Sequence, residues 1–307
     1  MARNLLVLGL GELGTNVINS LIAQQPPNTH LTLLLRESTI NTASGTKQAQ
    51  LDTLRSLNVA FLAGDIATNS PAELTTLFRP FTHIISCLGF ASGPGSQLKI
   101  AQAVLAAQVP YFLPWQFGLD YDVIGRGSAQ ELFDEQLDVR ALLRAQTLTR
   151  WMIVSTGIFM SFLFEPWFGV VVLDGAGDEP VVRALGDWEN RVTVTTPEDI
   201  GRITAKLVYA VGEEERWDGV VFTAGDTISY ARLAEVVEEV KGFEVRRERW
   251  STEKLIDDLE KDPGDVVKKY RVVFAKGRGM SWDLERTYNV QKGIDVVDVK
   301  TWAEKNL

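Results

Sequence analysis

Three glycines near the beginning of the chain have the spacing of a dinucleotide-binding turn. Gly9, Gly11 and Gly14 form a G-x-G-x-x-G pattern between an apolar, strand-like run and a helical pattern. In such a turn the first glycine permits a tight bend, the second lets backbone approach a pyrophosphate, and the third lets helix and strand pack closely. We interpret the pattern as a cofactor site rather than a glycine-rich turn without a ligand. The predicted contacts come from Gly9, Gly11, Glu12, Leu13 and Gly14.

A cation follows the second strand-like run, where an NAD site commonly has a carboxylate that accepts from the ribose hydroxyls. Arg36 stands at this position, and its fork of donors suits a 2′-phosphate. Lys47, in the polar loop expected next, adds a second positive charge. The sequence therefore predicts NADPH/NADP⁺ as the cofactor. The alternative is that Arg36 only ends a strand at the surface and that Glu37 binds the ribose.

Strand-like runs alternate with helical patterns through the first half of the chain, which indicates a parallel sheet with crossover helices. The predicted fold is a doubly wound parallel Rossmann sheet over residues 1–156, with the ligand crevice outside the carboxyl ends of the strands. The predicted strands are Leu5–Leu8, Leu31–Leu35, Val59–Leu62, His83–Cys87, Tyr111–Pro114 and Met152–Ser155.

The pattern becomes irregular beyond Gly157, and residues 157–307 are expected to form a smaller C-terminal α/β substrate lobe without an independent core. Strands are predicted at Arg191–Thr195 and Gly219–Thr223, followed by a helix that Ser229 caps. The long apolar stretch Trp151–Leu173 is interrupted by charge and proline. We interpret it as a buried strand and a packed loop rather than as a membrane span.

Composition narrows the classes of partner. The net charge is −9, so the chain repels phosphate backbones, and nucleic acid is not an expected partner. One cysteine and two histidines argue against a disulfide or a zinc site. The beginning of the chain has no basic leader, and we expect a cytoplasmic protein that does not contact membranes and is a monomer or a homodimer.

An ordered series of short motifs makes the whole chain resemble the NmrA-like and isoflavone-reductase-like branch of atypical short-chain dehydrogenases. It is similar in particular to fungal members described as aromatic alcohol reductases. The motifs include Leu35-Arg36-Glu37-Ser38-Thr39, Gly64-Asp65, Ile85-Ser86-Cys87-Leu88-Gly89, Phe112-Leu113-Pro114-Trp115-Gln116-Phe117-Gly118, Phe133-Asp134-Glu135-Gln136, Val139-Arg140 and Glu198-Asp199-Ile200-Gly201.

The resemblance implies NADPH-dependent reduction of small, often aromatic, secondary metabolites. It also implies that the nicotinamide lies beyond the ends of the fourth, fifth and sixth strands. The cofactor-binding residues expected there are Ser86, Leu88, Gly89, Trp115, Phe117 and Phe159.

One departure from the resemblance concerns proton transfer. Plant reductases of this group use a lysine on the helix after the fifth strand, and the matching position here is Gln136. An amide forms hydrogen bonds but exchanges no proton at neutral pH. The plant pattern also has Ser-Glu where this chain has Trp115-Gln116. Helical spacing places Gln136 inside an apolar stripe, so a functional and a structural role both stay open.

Other groups are candidates for supplying a proton and for contacting the substrate. Tyr121, Asp134 and a bound water are the candidate proton donors. An aromatic segment follows the sixth strand and suits a flat aromatic substrate, although we expect most of its side chains to attach the second lobe to the sheet. Its best candidate for a substrate or nicotinamide contact is Phe159. The segment comprises Phe159, Met160, Phe162, Phe164, Trp167 and Phe168.

Three functional hypotheses follow. The leading hypothesis is an NADPH-dependent reductase of a small aromatic or polyketide-like metabolite. The second is an NmrA-type redox sensor that binds dinucleotide without turning it over and acts through a protein partner. The third is a non-redox enzyme, such as a cyclase, that keeps the cofactor site as a scaffold.

Overall fold

The computed structural model of the chain describes residues 3–42, 45–90, 93–173, 179–210 and 217–307. Its strands are β1 (Arg3–Leu8), β2 (Thr29–Leu35), β3 (Ala60–Ala63), β4 (His83–Ser86), β5 (Tyr111–Leu113), β6 (Arg150–Ser155), β7 (Ile158–Phe159), β8 (Val171–Val172), β9 (Val181–Leu185), β10 (Arg191–Thr195), β11 (Asp218–Phe222), β12 (Asp226–Ser229) and β13 (Arg246–Trp250).

The helices begin with α1 (Glu12–Ala23), α2 (Glu37–Ile40), α3 (Gly45–Ser56), α4 (Pro71–Phe78), α5 (Ser96–Ala106), α6 (Tyr121–Ile124) and α7 (Leu132–Arg144). They continue with α8 (Pro197–Tyr209), α9 (Tyr230–Lys241), α10 (Thr252–Glu260), α11 (Val266–Ala275), α12 (Tyr288–Gln291) and α13 (Val299–Asn306). Short 3₁₀ helices lie at Met160–Phe164 and Leu284–Arg286.

The central sheet has seven strands in the order β11-β6-β5-β4-β1-β2-β3. The strands from β3 to β6 pair in parallel. Residues Leu5–Leu8 of β1 are fully buried, because crossover helices cover both faces of such a sheet. The predicted doubly wound parallel Rossmann fold is confirmed. The strand order reverses between β1 and β4, which is where ligands bind in this architecture.

The edge strand β11 corrects one expectation of the sequence analysis. Its residues were expected in the second lobe, but Asp218–Phe222 lies beside β6 at the edge of the central sheet. The pairing joins segments more than 60 residues apart in the sequence. Local periodicity contains no information on such a distant neighbour.

The chain divides into two compact units of nearly equal length, each built from three separate segments. The first unit comprises Met1–Gln116, Asp138–Val154 and Ile200–Val220. The second comprises Phe117–Leu137, Ser155–Asp199 and Val221–Leu307. The roles of cofactor binding for residues 1–156 and substrate binding for residues 157–307 stay predictions.

The second unit has its own hydrophobic core, so the expectation that this lobe lacks one is wrong. Two three-stranded sheets, β12-β10-β7 and β13-β9-β8, contribute to it. Leu233 and Val237 of α9 are fully buried in this core. The predicted cap of that helix is confirmed, since the Ser229 hydroxyl accepts from the Arg232 amide at 3.2 Å. Several short strands build this core, and a strand of two residues leaves no periodic signal.

The apolar stretch Trp151–Leu173 forms β6, β7, a 3₁₀ turn and β8, rather than one strand and a loop. Within the described ranges, no helix has the length and apolar character needed to cross a bilayer. The turn after β6 depends on Gly157, whose φ is +74°. The amides of Thr156 and Gly157 both donate to the Gly118 carbonyl, at 3.0 and 3.1 Å.

His83, the first residue of β4, is buried against aromatic rings. Its imidazole stacks on Tyr111 with 4.5 Å between ring centroids and meets the edge of Trp217 at 5.7 Å. Its Nδ1 atom lies 2.9 Å from the Thr82 hydroxyl. Burial lowers the pKa of His83 to about 4, with a further contribution from the positive charge of Arg3.

We expect Gly157→Ala to destabilise the fold by about 3 kcal/mol or more, because a Cβ there would lie 1.9 Å from the Thr193 carbonyl oxygen at a strained φ. Urea denaturation measures the free energy of unfolding. Gly219→Ala is the matched control, since a Cβ at Gly219 would have no neighbour within 4 Å. Equal midpoints for both variants would contradict the tight packing at Gly157.

Acid should destabilise the fold through His83. The unfolded histidine protonates near pH 6.5 and the folded one near pH 4. Above pH 6.5 His83 is neutral in both states and does not make the free energy of unfolding depend on pH. Below pH 6.5 protonation favours the unfolded state, so the free energy of unfolding decreases as the pH falls towards 4. The expected loss is about 1.4 kcal/mol per pH unit between those values. Urea midpoints at pH 7 and pH 5 measure it, and His83→Phe, which keeps a ring, should show a smaller difference. The same difference in both proteins would rule out His83 as the source.

Candidate functional site

An open pocket of about 210 Å³ lies in the first unit, where β1, β2 and β3 end. Four residues expected to bind the cofactor meet in its lining: Gly9, Arg36, Lys47 and Leu88. The pocket lies at the carboxyl edge of the sheet, as the strand order requires. The other lining residues are Leu8, Leu10, Leu34, Leu35, Thr39, Gly64, Asp65 and Ile66.

The three glycines of the turn differ in their surroundings. Gly9 has φ +92°, and a Cβ there would lie 3.3 Å from the Leu88 Cα. A Cβ on Gly14 would lie 2.3 Å from the Gly9 carbonyl oxygen, so the helix packs directly on the turn. A Cβ on Gly11 would meet none of the described residues within 4 Å, apart from its chain neighbours. Gly9 and Gly14 are therefore required by the fold, whereas the space beside Gly11 is open to a ligand.

Helix α1 begins at this turn without a side-chain cap. Gly11 is the N-cap residue and has no side chain to accept from the first-turn amides. By contrast, Ser70 caps α4 by accepting from the Glu73 amide. Glu12 is exposed and Leu13 is buried, so Leu13 can offer a ligand only its backbone. An uncapped helix start beside an open space suits an anion such as a pyrophosphate.

Arg36 lies between β2 and α2 with its backbone fixed. Its carbonyl accepts from the amides of Thr39 and Ile40, at 2.9 and 3.1 Å. The side chain is 58% exposed, and its Nε atom lies 3.5 Å from the Asp65 Oδ2 atom. The guanidinium is thus held beside the pocket by an ion pair and stays accessible to solvent.

Lys47 lies in the first turn of α3 rather than in a polar loop, which corrects the sequence-based expectation. Its ammonium donates to the Leu10 carbonyl at 3.3 Å and to the Gln50 side chain at 2.9 Å. Gln50 in turn donates to the Thr15 hydroxyl at 3.2 Å. These contacts fix a second cation at the glycine turn, within the same pocket as Arg36.

Expected cofactor contacts also follow β4. The Ser86 hydroxyl is fully buried and has no hydrogen-bond partner within the described ranges. The buried Gln97 side chain donates to the carbonyls of Leu88 and Gly89, at 2.8 and 3.1 Å. A Cβ on Gly89 would lie 3.2 Å from the Trp115 ring. The loop after β4 is therefore held by Gln97 and covered by Trp115.

The two residues in which the chain departs from the plant pattern after β5 have structural contacts. The Trp115 ring meets the Phe90 ring edge-on at 4.7 Å. Gln116 is buried, and its side-chain oxygen accepts from the Nε of Arg140 at 2.8 Å. Arg140 is fully buried, so the Gln116 amide serves as an acceptor for a guanidinium that is shielded from water.

The expected catalytic residues all belong to the second unit. Tyr121 lies in its core, with its ring 4.9 Å from that of Phe133. The Asp134 carboxylate accepts from the Gly127 amide at 3.1 Å. Gln136 is fully buried in α7, consistent with the inward face that helical spacing predicted. Their assignment as catalytic residues stays a prediction.

The aromatic segment divides into core and surface side chains. Met160 and Phe168 are buried in the core of the second unit, and Phe164 stacks on Trp302 at 4.6 Å. Phe159, Phe162 and Trp167 instead form a row with ring centroids 5.7 and 5.4 Å apart. Trp167 is 48% exposed and the other two are half-buried. Phe117, also expected near the cofactor, is buried.

Comparison with known proteins gives the family. The model of the NmrA-like family matches residues 1–298. The chain belongs to the NmrA-like family. It is 44% identical over 310 residues to an NmrA-like family domain-containing oxidoreductase of Gibberella moniliformis, covering 99% of this chain and 98% of the relative.

Solved structures share the fold of this NmrA-like chain at low sequence identity. A crystal structure of isoflavone reductase has a TM-score of 0.80 at 19% identity and covers 100% of both chains. The complex of leucoanthocyanidin reductase with NADPH from Vitis vinifera has a TM-score of 0.73 at 18% identity, with 98% of each chain covered.

Some lining residues of the NmrA-like chain were not assigned to the site from its sequence. Asp65 and Ile66 follow β3, and the carboxyl ends of parallel strands meet at one edge. That rule was sufficient to predict them. Gln97, which holds the loop after β4 without lining the pocket, could not be predicted in this way. A glutamine on a helix has no local pattern that shows which distant carbonyl it will donate to.

Proposed function

We propose that this NmrA-like protein binds NADP(H) in the pocket of its first unit and reduces a small aromatic metabolite. The observation that carries the proposal is one pocket lined by both the glycine turn and two cations, Arg36 and Lys47. A pyrophosphate requires the turn, and a 2′-phosphate requires positive charge beside the end of β2. The alternative, that Glu37 binds an unphosphorylated ribose, has less support because Glu37 does not line the pocket.

The residues of the first unit fit the phosphates of such a dinucleotide. The space beside Gly11 and the uncapped start of α1 would hold the pyrophosphate. The Arg36 guanidinium and the Lys47 ammonium would hold the 2′-phosphate. When bound, the reduced nicotinamide supplies the hydride.

Relatives support the redox class, and the second unit supports the substrate class. The relative at 44% identity is named an oxidoreductase, and a structure of the same fold contains NADPH. The row of Phe159, Phe162 and Trp167 offers aromatic faces to a planar molecule. Aromatic pairs stabilise such contacts beyond the area that they bury.

A second candidate function is a dinucleotide sensor without turnover. The specific observation that favours it is the environment of the expected catalytic groups. Gln136 carries no titratable proton, Tyr121 lies in a hydrophobic core, and Asp134 accepts from a backbone amide. A sensor needs only the pocket of the first unit and a change in affinity between the oxidised and reduced cofactor.

Titration of the purified protein with NADPH, NADP⁺, NADH and NAD⁺ in one buffer tests both candidates. Tight binding of NADPH with weak binding of NADH supports the reductase and justifies a screen of aromatic carbonyl and alkene substrates. Preference for the oxidised forms, with weak NADPH binding, supports the sensor. Binding of none of the four contradicts both candidates.

Gly11→Ala should weaken dinucleotide binding strongly with little loss of stability. The new methyl group would occupy the open space proposed for the pyrophosphate, and among the described residues it would meet only its chain neighbours within 4 Å. We expect at least a 30-fold increase in the Kd of NADPH with only a small fall in the urea midpoint, because alanine is a poorer N-cap than glycine. Gly14→Ala is the contrast, because its Cβ would clash with the Gly9 carbonyl and lower the midpoint. Unchanged NADPH affinity in Gly11→Ala would place the pyrophosphate elsewhere.

Gln136→Met separates a functional from a structural role of Gln136. Methionine has a similar volume but no amide, so a lost contact to substrate should lower kcat about tenfold or more. The Kd of NADPH and the melting temperature should change little. Full turnover in Gln136→Met would exclude Gln136 from the reaction. If Gln136 contacts the substrate, Gln136→Ala should also lower kcat.

A further inference from the structure

Among the described residues that line the pocket, Asp65 is the one carboxylate, and the other charged side chains, Arg36 and Lys47, are cations. A negative charge beside a 2′-phosphate would weaken binding unless its position serves another purpose. This inference rests on the proposed function, because it concerns the same dinucleotide pocket. The purpose of Asp65 follows from how its backbone and its two carboxylate oxygens are held.

The loop that carries Asp65 is fixed against β2. The Gly64 amide donates to the Leu35 carbonyl at 2.9 Å, directly before Arg36. A Cβ on Gly64 would lie 2.8 Å from the Leu34 side chain, so glycine permits this approach. Asn69 completes the loop, since its side chain accepts from the Asp65 amide and its own amide donates to the Asp65 carbonyl, both at 2.8 Å.

The two carboxylate oxygens of Asp65 have different contacts. Oδ1 accepts from the Ala67 amide at 2.9 Å, which fixes the rotation of the carboxylate. Oδ2 faces Arg36 and lies 3.5 Å from its Nε atom. A contact at Nε lies on one side edge of the planar guanidinium, and the end edge between the two terminal nitrogens still carries an N–H group from each of them. Those terminal nitrogens form the fork that binds phosphate oxygens.

We propose that Asp65 is a positioning residue that sets the preference for phosphorylated dinucleotides by holding Arg36 ready for the 2′-phosphate. An exposed arginine has many rotamers, and ordering it on binding costs affinity. Asp65 imposes part of that order before the cofactor arrives. As a stabiliser of the fold the exposed pair contributes little, so its effect should appear in cofactor selectivity.

The test measures the Kd of NADPH and of NADH for the unmodified protein, the Asp65→Asn and Arg36→Gln variants, and the double variant. Asparagine keeps an acceptor for the Ala67 amide but removes the charge that orients Arg36. We expect Asp65→Asn to weaken NADPH binding about three- to tenfold and to leave NADH binding unchanged. Arg36→Gln should weaken NADPH binding further. Asp65→Asn should then have no additional effect in the Arg36→Gln background, because no guanidinium remains to be oriented.

Several outcomes overturn the proposal. Tighter NADPH binding in Asp65→Asn would show that the carboxylate repels the phosphate. An equal loss for NADPH and NADH would show a structural role in the loop, and a fall in melting temperature would accompany it. Additive effects in the double variant would show that Asp65 acts independently of Arg36. If the unmodified protein binds neither nucleotide, the proposed function fails as well. If it prefers NADPH and Asp65→Asn leaves the ratio of the two Kd values unchanged, only the role of Asp65 fails.

Discussion

The close contact between Gly14 and the carbonyl of Gly9 is the constraint on which the first unit depends. A single Cβ at Gly14 would lie 2.3 Å from that oxygen, so only glycine allows the start of α1 to lie this close to the turn. A second contact fixes the same helix from α8. A Cβ on Gly201 would lie 2.4 Å from the Asn16 carbonyl oxygen, and Tyr209 donates to the Leu21 carbonyl at 3.1 Å. The open side of Gly11 is what remains available to a ligand.

The charge of the pocket in the first unit differs in sign from the net charge of the chain. The chain carries a net charge of −9, which disfavours anions at a distance. Within the pocket of the first unit, however, Arg36 and Lys47 outnumber Asp65. Because charges a few ångströms away interact more strongly than screened distant ones, the local set determines whether a phosphate binds. A protein with a negative net charge can therefore contain a pocket whose local charge is positive.

The second unit places aromatic side chains in two different roles. Phe168 is buried in the core, whereas Phe159, Phe162 and Trp167 stay partly exposed in a row. Arg271 holds the chain between these groups, since it donates to the carbonyls of Trp167 and Phe168 at 2.8 Å each. The exposed row thus has a fixed backbone at one end, which favours a defined contact surface over a flexible one.

The sequence alone determined the parallel Rossmann sheet, the glycine turn and the cation after the second strand. Each of these depends on residues close together in the chain. Apolar periodicity and glycine spacing within such a short segment are sufficient to predict its structure. It also predicted the cap at Ser229, because a serine stands directly before a helical pattern, and the inward face of Gln136, because that follows from helical spacing.

Only the tertiary structure decided which distant segments meet. It placed β11 at the edge of the central sheet, gave the second unit its own core and brought Asp65 to Arg36. These arrangements depend on packing and on contacts between residues far apart in the sequence. The energy of such a contact depends on geometry that no local pattern specifies. These arrangements could therefore be found only from the tertiary structure.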